Sequence, residues 1–304
     1  MAFTKNISSQ ISIWRFPWGY KGSAIFTGGV VVIGLLLQLF VGAFNFALLQ
    51  WPVNAILGGI MLVCLLLFSY KRKSPLYQWF SGVPMAVTLI GTLVILGIIM
   101  GLTPQSQSND IPNNLFSRLG FTRMTSAWPF VLIYFITLLS LGALIIRRLF
   151  SFSIKDYAFY LNHIGLWILL FAAGMGAPDI ERYVMYVHEG EVEWHEGVGI
   201  KLNDFYIEEY PSKRFVSDIN VLSENGKQVH TLLEVNKPFK FGNWMLYQYG
   251  YDSDAGNIST YSSIQLVYDP WVIPVYIGII LFACGSVCML WIGNKRKEVS
   301  DDVE

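Results

Sequence analysis

The chain has 304 residues, of which 54% are hydrophobic, 15% aromatic and 14% charged, a balance too apolar for an ordinary soluble domain. Lysine plus arginine (21) and aspartate plus glutamate (21) cancel to a net charge of zero, which excludes the basic footprint of a nucleic-acid binder. Cys64, Cys284 and Cys288 all lie in apolar stretches without a CxxC pair, so thiol redox chemistry and a disulfide framework are not expected and packing is the better reading.

In chain order, Met1 to Lys21 is polar and amphiphilic, unlike a cleavable signal. Residues 24–48 read as a first membrane span and 53–69, after Gln50-Trp51-Pro52, as a second that Lys71, Arg72 and Lys73 stop. A third covers 84–102, with glycines that allow close helix approach. The connector 103–127 is rich in Ser, Asn, Pro and Gln, with a short helix expected around LFSRLGF. A fourth span runs from Trp128 to about Ile146 and stops at Arg147-Arg148; a fifth covers Tyr157 to Gly176, and a sixth follows Asp269-Pro270 from Trp271 to Trp291. Twelve Lys and Arg residues flank one set of span ends: Lys5, Arg15, Lys21, the 71–73 cluster, Arg147, Arg148, Lys155, Lys295, Arg296 and Lys297. The short opposite loops carry Arg118 and Arg123. The positive-inside bias then puts both termini in the cytoplasm and the long loop before the last span outside it.

That loop, 177–268, alternates apolar and polar residues as strands do, holds seven basic and fourteen acidic residues, and carries a hairpin signal at Glu224-Asn225-Gly226-Lys227. The expected architecture is a polytopic α-helical membrane protein with six transmembrane helices and an extracytoplasmic all-β domain, a small antiparallel sandwich or half-barrel, inserted before the last helix. Its divisions are 1–73 (N-terminal segment and hairpin), 74–176 (spans three to five), 177–268 (β domain) and 269–304 (last span and tail).

One residue stands out inside the spans. His163 is the single intramembrane histidine of the four, six residues into its helix and therefore about 9 Å deep. An ionisable side chain at that depth points to function, and haem iron is a natural ligand for a neutral imidazole. Phe159 and Trp167, at i−4 and i+4, would give a porphyrin a flat aromatic wall, although aromatics at that spacing are ordinarily core. The competing reading is a packing histidine bonded through Asn162 or a backbone carbonyl. One imidazole is half a haem site, so the second axial ligand would come from another chain.

In the outer domain, Glu189, Glu191, Glu193 and His195 read as one polar strand face opposite Val192 and Trp194. With His188 they suggest a metal site or an attraction for a basic polypeptide, and equally a solvated strand face; no known ligand spacing is present. No phosphate loop, nucleophile elbow or HExxH occurs in the sequence, so the chain carries no visible catalytic kit.

The order of these pieces resembles the ResB (CcsB, Ccs1) family of system II cytochrome c biogenesis proteins over about residues 75–293. The likeness rests on Gly101, Pro104 and Gln105, LFSRLGF…SAWPF, a helix with His163, Gly165, Gly174 and Gly176, Glu189-Gly190-Glu191, FVSDINVLSENGKQV, VNKPFKFGNWMLYQYGYD and the helix after Asp269-Pro270. It implies a subunit that works with a tryptophan-rich ResC (CcsA)-type membrane partner to move haem b across the cytoplasmic membrane and deliver it to the CxxCH motifs of apocytochrome c. It also implies that His163 is one axial ligand of haem in transit. The 24–69 hairpin has no counterpart in the shortest members, and the outer domain is smaller than in many. The alternative is a membrane-anchored scaffold or sensor whose β domain binds an extracytoplasmic polypeptide without haem.

Overall fold

The computed structural model describes residues 17–106, 114–209, 212–255 and 259–301, with side chains as far as Ile292. Lys5 and Arg15, and the side chains of Lys295, Arg296 and Lys297, lie outside that description. The chain divides into a unit of residues 1–178 with 273–304 and a unit of residues 179–272.

The first unit is helical: α1 (Tyr20–Val41), α2 (Val53–Ser69), α3 (Pro75–Phe80), α4 (Val83–Leu102), α5 (Leu115–Arg118), α6 (Trp128–Leu149), α7 (Tyr157–Gly176) and α8 (Val272–Asp301). Among the described residues, five helical stretches are long and apolar enough to cross a membrane, while α2, with 17 residues, is a shorter apolar helix. The first helix ends earlier than its hydropathy suggests. Gly42 leaves helical geometry at φ +87°, and the apolar residues beyond it form a separate 3-10 turn, Phe46–Leu49, capped by the Asn45 side chain.

The centre of this unit is α6. Gly34 of α1 stands so near that a β-carbon there would lie 2.6 Å from the Pro129 backbone, and the Gln38 amide oxygen accepts the Trp128 N–H at 3.2 Å. Met85 and Leu89 of α4 bury against Ile133 and Trp79, whose indole donates to Ser23 at 2.8 Å. The Tyr77 hydroxyl of α3 donates to the Ala143 carbonyl at 2.8 Å. At one end of α2, the Asn54 amide donates to the Met175 carbonyl of α7 at 3.0 Å; at the other, Leu65 packs with Tyr77 and Ala143.

The 103–127 connector contains the expected short helix, α5, followed by a 3-10 turn, Phe121–Ser126. Gln105 ties this cap down, donating to the Phe121 carbonyl at 3.0 Å while its amide oxygen accepts the Met124 N–H at 3.0 Å. Gly120 is required there: its φ is +84°, and a β-carbon would meet Ala127 at 2.7 Å.

Among its described residues the second unit holds eight strands: β1 (Glu181–His188), β2 (Val192–His195), β3 (Val198–Glu208), β4 (Arg214–Ser223), β5 (Gln228–Glu234), β6 (Phe239–Phe241), β7 (Trp244–Tyr251) and β8 (Tyr261–Tyr268). They form two antiparallel sheets in the orders β1-β8-β7-β6 and β2-β3-β4-β5. Met185, Leu246, Ile264 and Leu266 of one sheet share a core with Ile200, Leu202, Ile219 and Leu233 of the other. The β4–β5 turn falls at Glu224–Lys227 with Gly226 at φ +78°, where only glycine is unstrained. First and last strands pair, Glu181 opposite Tyr268, so the chain enters and leaves this unit side by side. The Trp271 indole clips the two ends together by donating to Asp179 at 2.7 Å.

The acidic face expected at 189–195 does not form. Glu189, Gly190 and Glu191 lie beyond the end of β1 in a turn, with Gly190 at φ +79°, and only Glu193 and His195 stand on β2. A left-handed residue breaks the alternation, and Val192 and Trp194 on the opposite face are exposed.

Candidate functional site around His163

α7 starts after a short 3-10 turn, Ile154–Asp156, and meets its neighbours on two faces. The face toward α8 is small and polar. A β-carbon on Gly165 would lie 2.4 Å from the Phe282 backbone, one on Gly278 2.7 Å from Leu169, and one on Gly285 2.2 Å from Asn162. Asn162 donates from this face to Ser286 at 2.8 Å, so its amide is committed to α8 and does not hold His163.

The opposite face meets α6 and α2. Trp167 donates to the Leu138 carbonyl at 3.1 Å and stacks on Phe171, with ring centres 5.1 Å apart. The Tyr134 hydroxyl donates to the Leu170 carbonyl, and its ring fills the space left by Gly174. At 3.6 residues per turn, residue 163 falls within about 60° of arc with 167, 170 and 174. His163 therefore lies on the α6 side of the helix, where its ring is half-buried and not enclosed.

The imidazole is half-buried and lies flat on Phe159, centres 3.9 Å apart and planes at 27°. Its Nδ1 is 3.0 Å from the Phe159 carbonyl. A carbonyl oxygen only accepts, so Nδ1 carries the proton and Nε2 keeps its lone pair. The intrahelical bond expected of a packing histidine and the free nitrogen expected of a ligand are thus both present. Backbone orientation of one ring nitrogen is also how metal-binding histidines are commonly held.

The aromatic wall is half realised. Phe159 flanks the imidazole, whereas Trp167 is drawn into its own stack by the Leu138 bond. Among the described residues, apolar cavities of about 530, 350 and 280 Å³ open in this unit, and His163 does not line these. The 530 Å³ cavity sits at the other end of α7, walled by Phe46, Phe130, Tyr134 and Phe135. What this chain presents to a ligand at His163 is a face.

A feature that sequence spacing did not reveal is the charge beside that face. The Arg148 guanidinium, at the end of α6, stands 5.3 Å over the Phe159 ring, while Arg147 turns away toward the Gln78 carbonyl at 3.4 Å. The adjacency depends on the α6–α7 turn, which folds residue 148 back over residue 159.

The histidines of the β unit are engaged elsewhere. His195 stacks on Tyr183 at 3.7 Å, His188 neighbours Tyr261 at 5.6 Å, and His230 bonds Asp218 at 2.7 Å. Among the described residues, no three His, Cys, Asp or Glu side chains are grouped to hold a metal ion. The three cysteines are free thiols, Cys64 and Cys284 on the exposed surface of the helical unit.

With this geometry in place, residues 153–260 match the sequence model of the ResB-like family, a segment that begins just before α7 and runs through most of the β unit. The match takes in His163, Phe159 and the strands up to the start of β8. A solved structure of the cytochrome c heme lyase CcmF superposes with a TM-score of 0.37 and 16% identity, covering 90% of this chain and 46% of that one. The chain spans about half the length of that protein, and so loose an overlap establishes no shared fold. Comparison with curated proteins returned no match.

Proposed function

We propose that the chain is a membrane subunit of a system II cytochrome c biogenesis complex, and that it helps to carry haem b across the cytoplasmic membrane toward apocytochrome c. The observation that carries this reading is the free Nε2 of His163, oriented from within the ResB-like segment. A neutral imidazole with one nitrogen tied to the backbone is a preformed axial ligand and needs no rearrangement to bind iron.

His163 offers one ligand on an open face, so the second comes from a tryptophan-rich ResC (CcsA)-type partner laid against the same side. The chain itself is a non-catalytic subunit, and chemistry at the acceptor CxxCH belongs to the partner. The reading includes six spans, both termini cytoplasmic and the β unit outside. Two observations support it: α2 runs from the level of Met175 to that of Ala143, and Arg72, Arg147 and Arg148 gather at one end of the bundle.

The test is His163→Ala in the complex purified from membranes. The Soret band is expected to be lost and to return in part with added imidazole, which fills the vacated coordination position. Undiminished haem content would overturn the ligand assignment, and the absence of a Soret band from the parent complex would favour the scaffold or sensor.

A further inference from the structure

We propose that Arg148 is the anchor for the carboxylates of the porphyrin that His163 binds, an inference that rests on the haem-carrying role proposed above. Haem is amphiphilic: an apolar macrocycle with two propionates on one edge. Carboxylates are costly to bury in hydrocarbon, so a ring coordinated about 9 Å inside a span must turn that edge toward the nearer membrane surface. The nearer end here is the one at which α6 stops and α7 starts.

Arg148 stands there on the same column as the imidazole. Its guanidinium carbon is 5.3 Å from the centre of Phe159, and Phe159 is 3.9 Å from the centre of His163. The two steps set an upper limit of about 9 Å between guanidinium and imidazole. The phenyl ring that both neighbour holds the guanidinium over its face and makes no hydrogen bond to it, so the N–H groups remain for a carboxylate, which a guanidinium receives in bidentate fashion. Among the described residues no carboxylate pairs with Arg148; the ion pairs all lie in the β unit. Arg147, one residue earlier, is occupied with Gln78 and belongs to the α3 contact.

The experiment titrates two porphyrins, haem b and its dimethyl ester, into the full chain purified in detergent with the subunits that accompany it from membranes. Soret absorbance reports binding. Arg148→Gln is expected to weaken haem b about tenfold, the loss of a charge-assisted hydrogen-bonded pair, and to leave the dimethyl ester within about twofold. Arg148→Lys should recover part of the loss, and Arg147→Gln should change neither porphyrin. If His163→Ala abolishes the Soret shift for both porphyrins while Arg148→Gln weakens both equally, or neither, the carrying role stands and the anchor is wrong. If His163→Ala leaves both unchanged, the carrying role fails and the anchor falls with it.

Discussion

The two units solve the same problem, satisfying polar backbone while holding side chains in place, in opposite ways. In the helical unit several interior polar side chains are each spent on a backbone carbonyl: Tyr77 on Ala143, Asn54 on Met175, Ser140 on Phe80, Trp167 on Leu138. The helices meet through glycines, and large apolar residues such as Phe40 and Leu102 face outward. The β unit buries its large apolar residues between two sheets. It also keeps a side-chain network inside, with Ser217 of β4 donating to Gln248 of β7 at 2.6 Å and bonded to Ser262 of β8 at 2.7 Å. Hydrocarbon solvates leucine as well as a protein interior does, so close approach and hydrogen bonds must hold helices together in a bilayer. In water, burial itself is the driving force.

Truncation of a buried leucine is the strongest way to break this comparison. Leu246→Ala, at 0% exposure in the sandwich, is expected to cost about 2–5 kcal/mol. Leu89→Ala, at 1% exposure in the bundle, should cost less, because its unfolded reference in the membrane is already apolar. Thermal unfolding of the full chain in detergent, followed separately by strand and helix circular dichroism, tests the order; equal losses would defeat the contrast.

Next in size is helix approach. Gly285→Ala puts a methyl 2.2 Å from the Asn162 backbone and should cost about 1–3 kcal/mol by forcing α7 and α8 apart. Gly91→Ala, where nothing lies within 4 Å, should be neutral or slightly stabilising. A melting temperature that falls equally in both would mean that the α7–α8 contact is not what the glycines serve.

The smallest effect is electrostatic and confined to the β unit. The Glu234 carboxyl accepts from Lys237 at 2.8 Å and faces Arg214 at 3.5 Å, and the Lys237 bond holds its pKa below the ordinary 4.5. A lowered carboxylate adds stability that is complete above the ordinary value and fades as the pH falls through the lowered one. Strand melting should therefore weaken as the pH falls below the ordinary carboxylate value, by less in Glu234→Gln, and less again in high salt because these groups are solvent-screened. An acid limb identical in parent and variant would remove Glu234 from the account.

Much of this was legible along the chain. The apolar runs mark the helices, the alternation in 177–268 marks the strands, and Asn225-Gly226 places a hairpin where one is found. His163 was identifiable because an ionisable group in an apolar run is conspicuous. The errors were local in origin too: hydropathy carried the first span past Gly42, and counting by twos through Glu189–Glu191 ignored the reversal at Gly190.

Sequence alone settled which segments suit lipid, which suit a sheet, and which residue was out of place in its helix, because period and hydropathy are properties of neighbours in the chain. Tertiary structure decided the rest: that β1 pairs with β8, that Trp167 turns into α6, that Asn162 serves α8, and that Arg148 stands over Phe159. Each of these brings together residues on separate elements, and such pairings follow from how the elements meet, which no local period records.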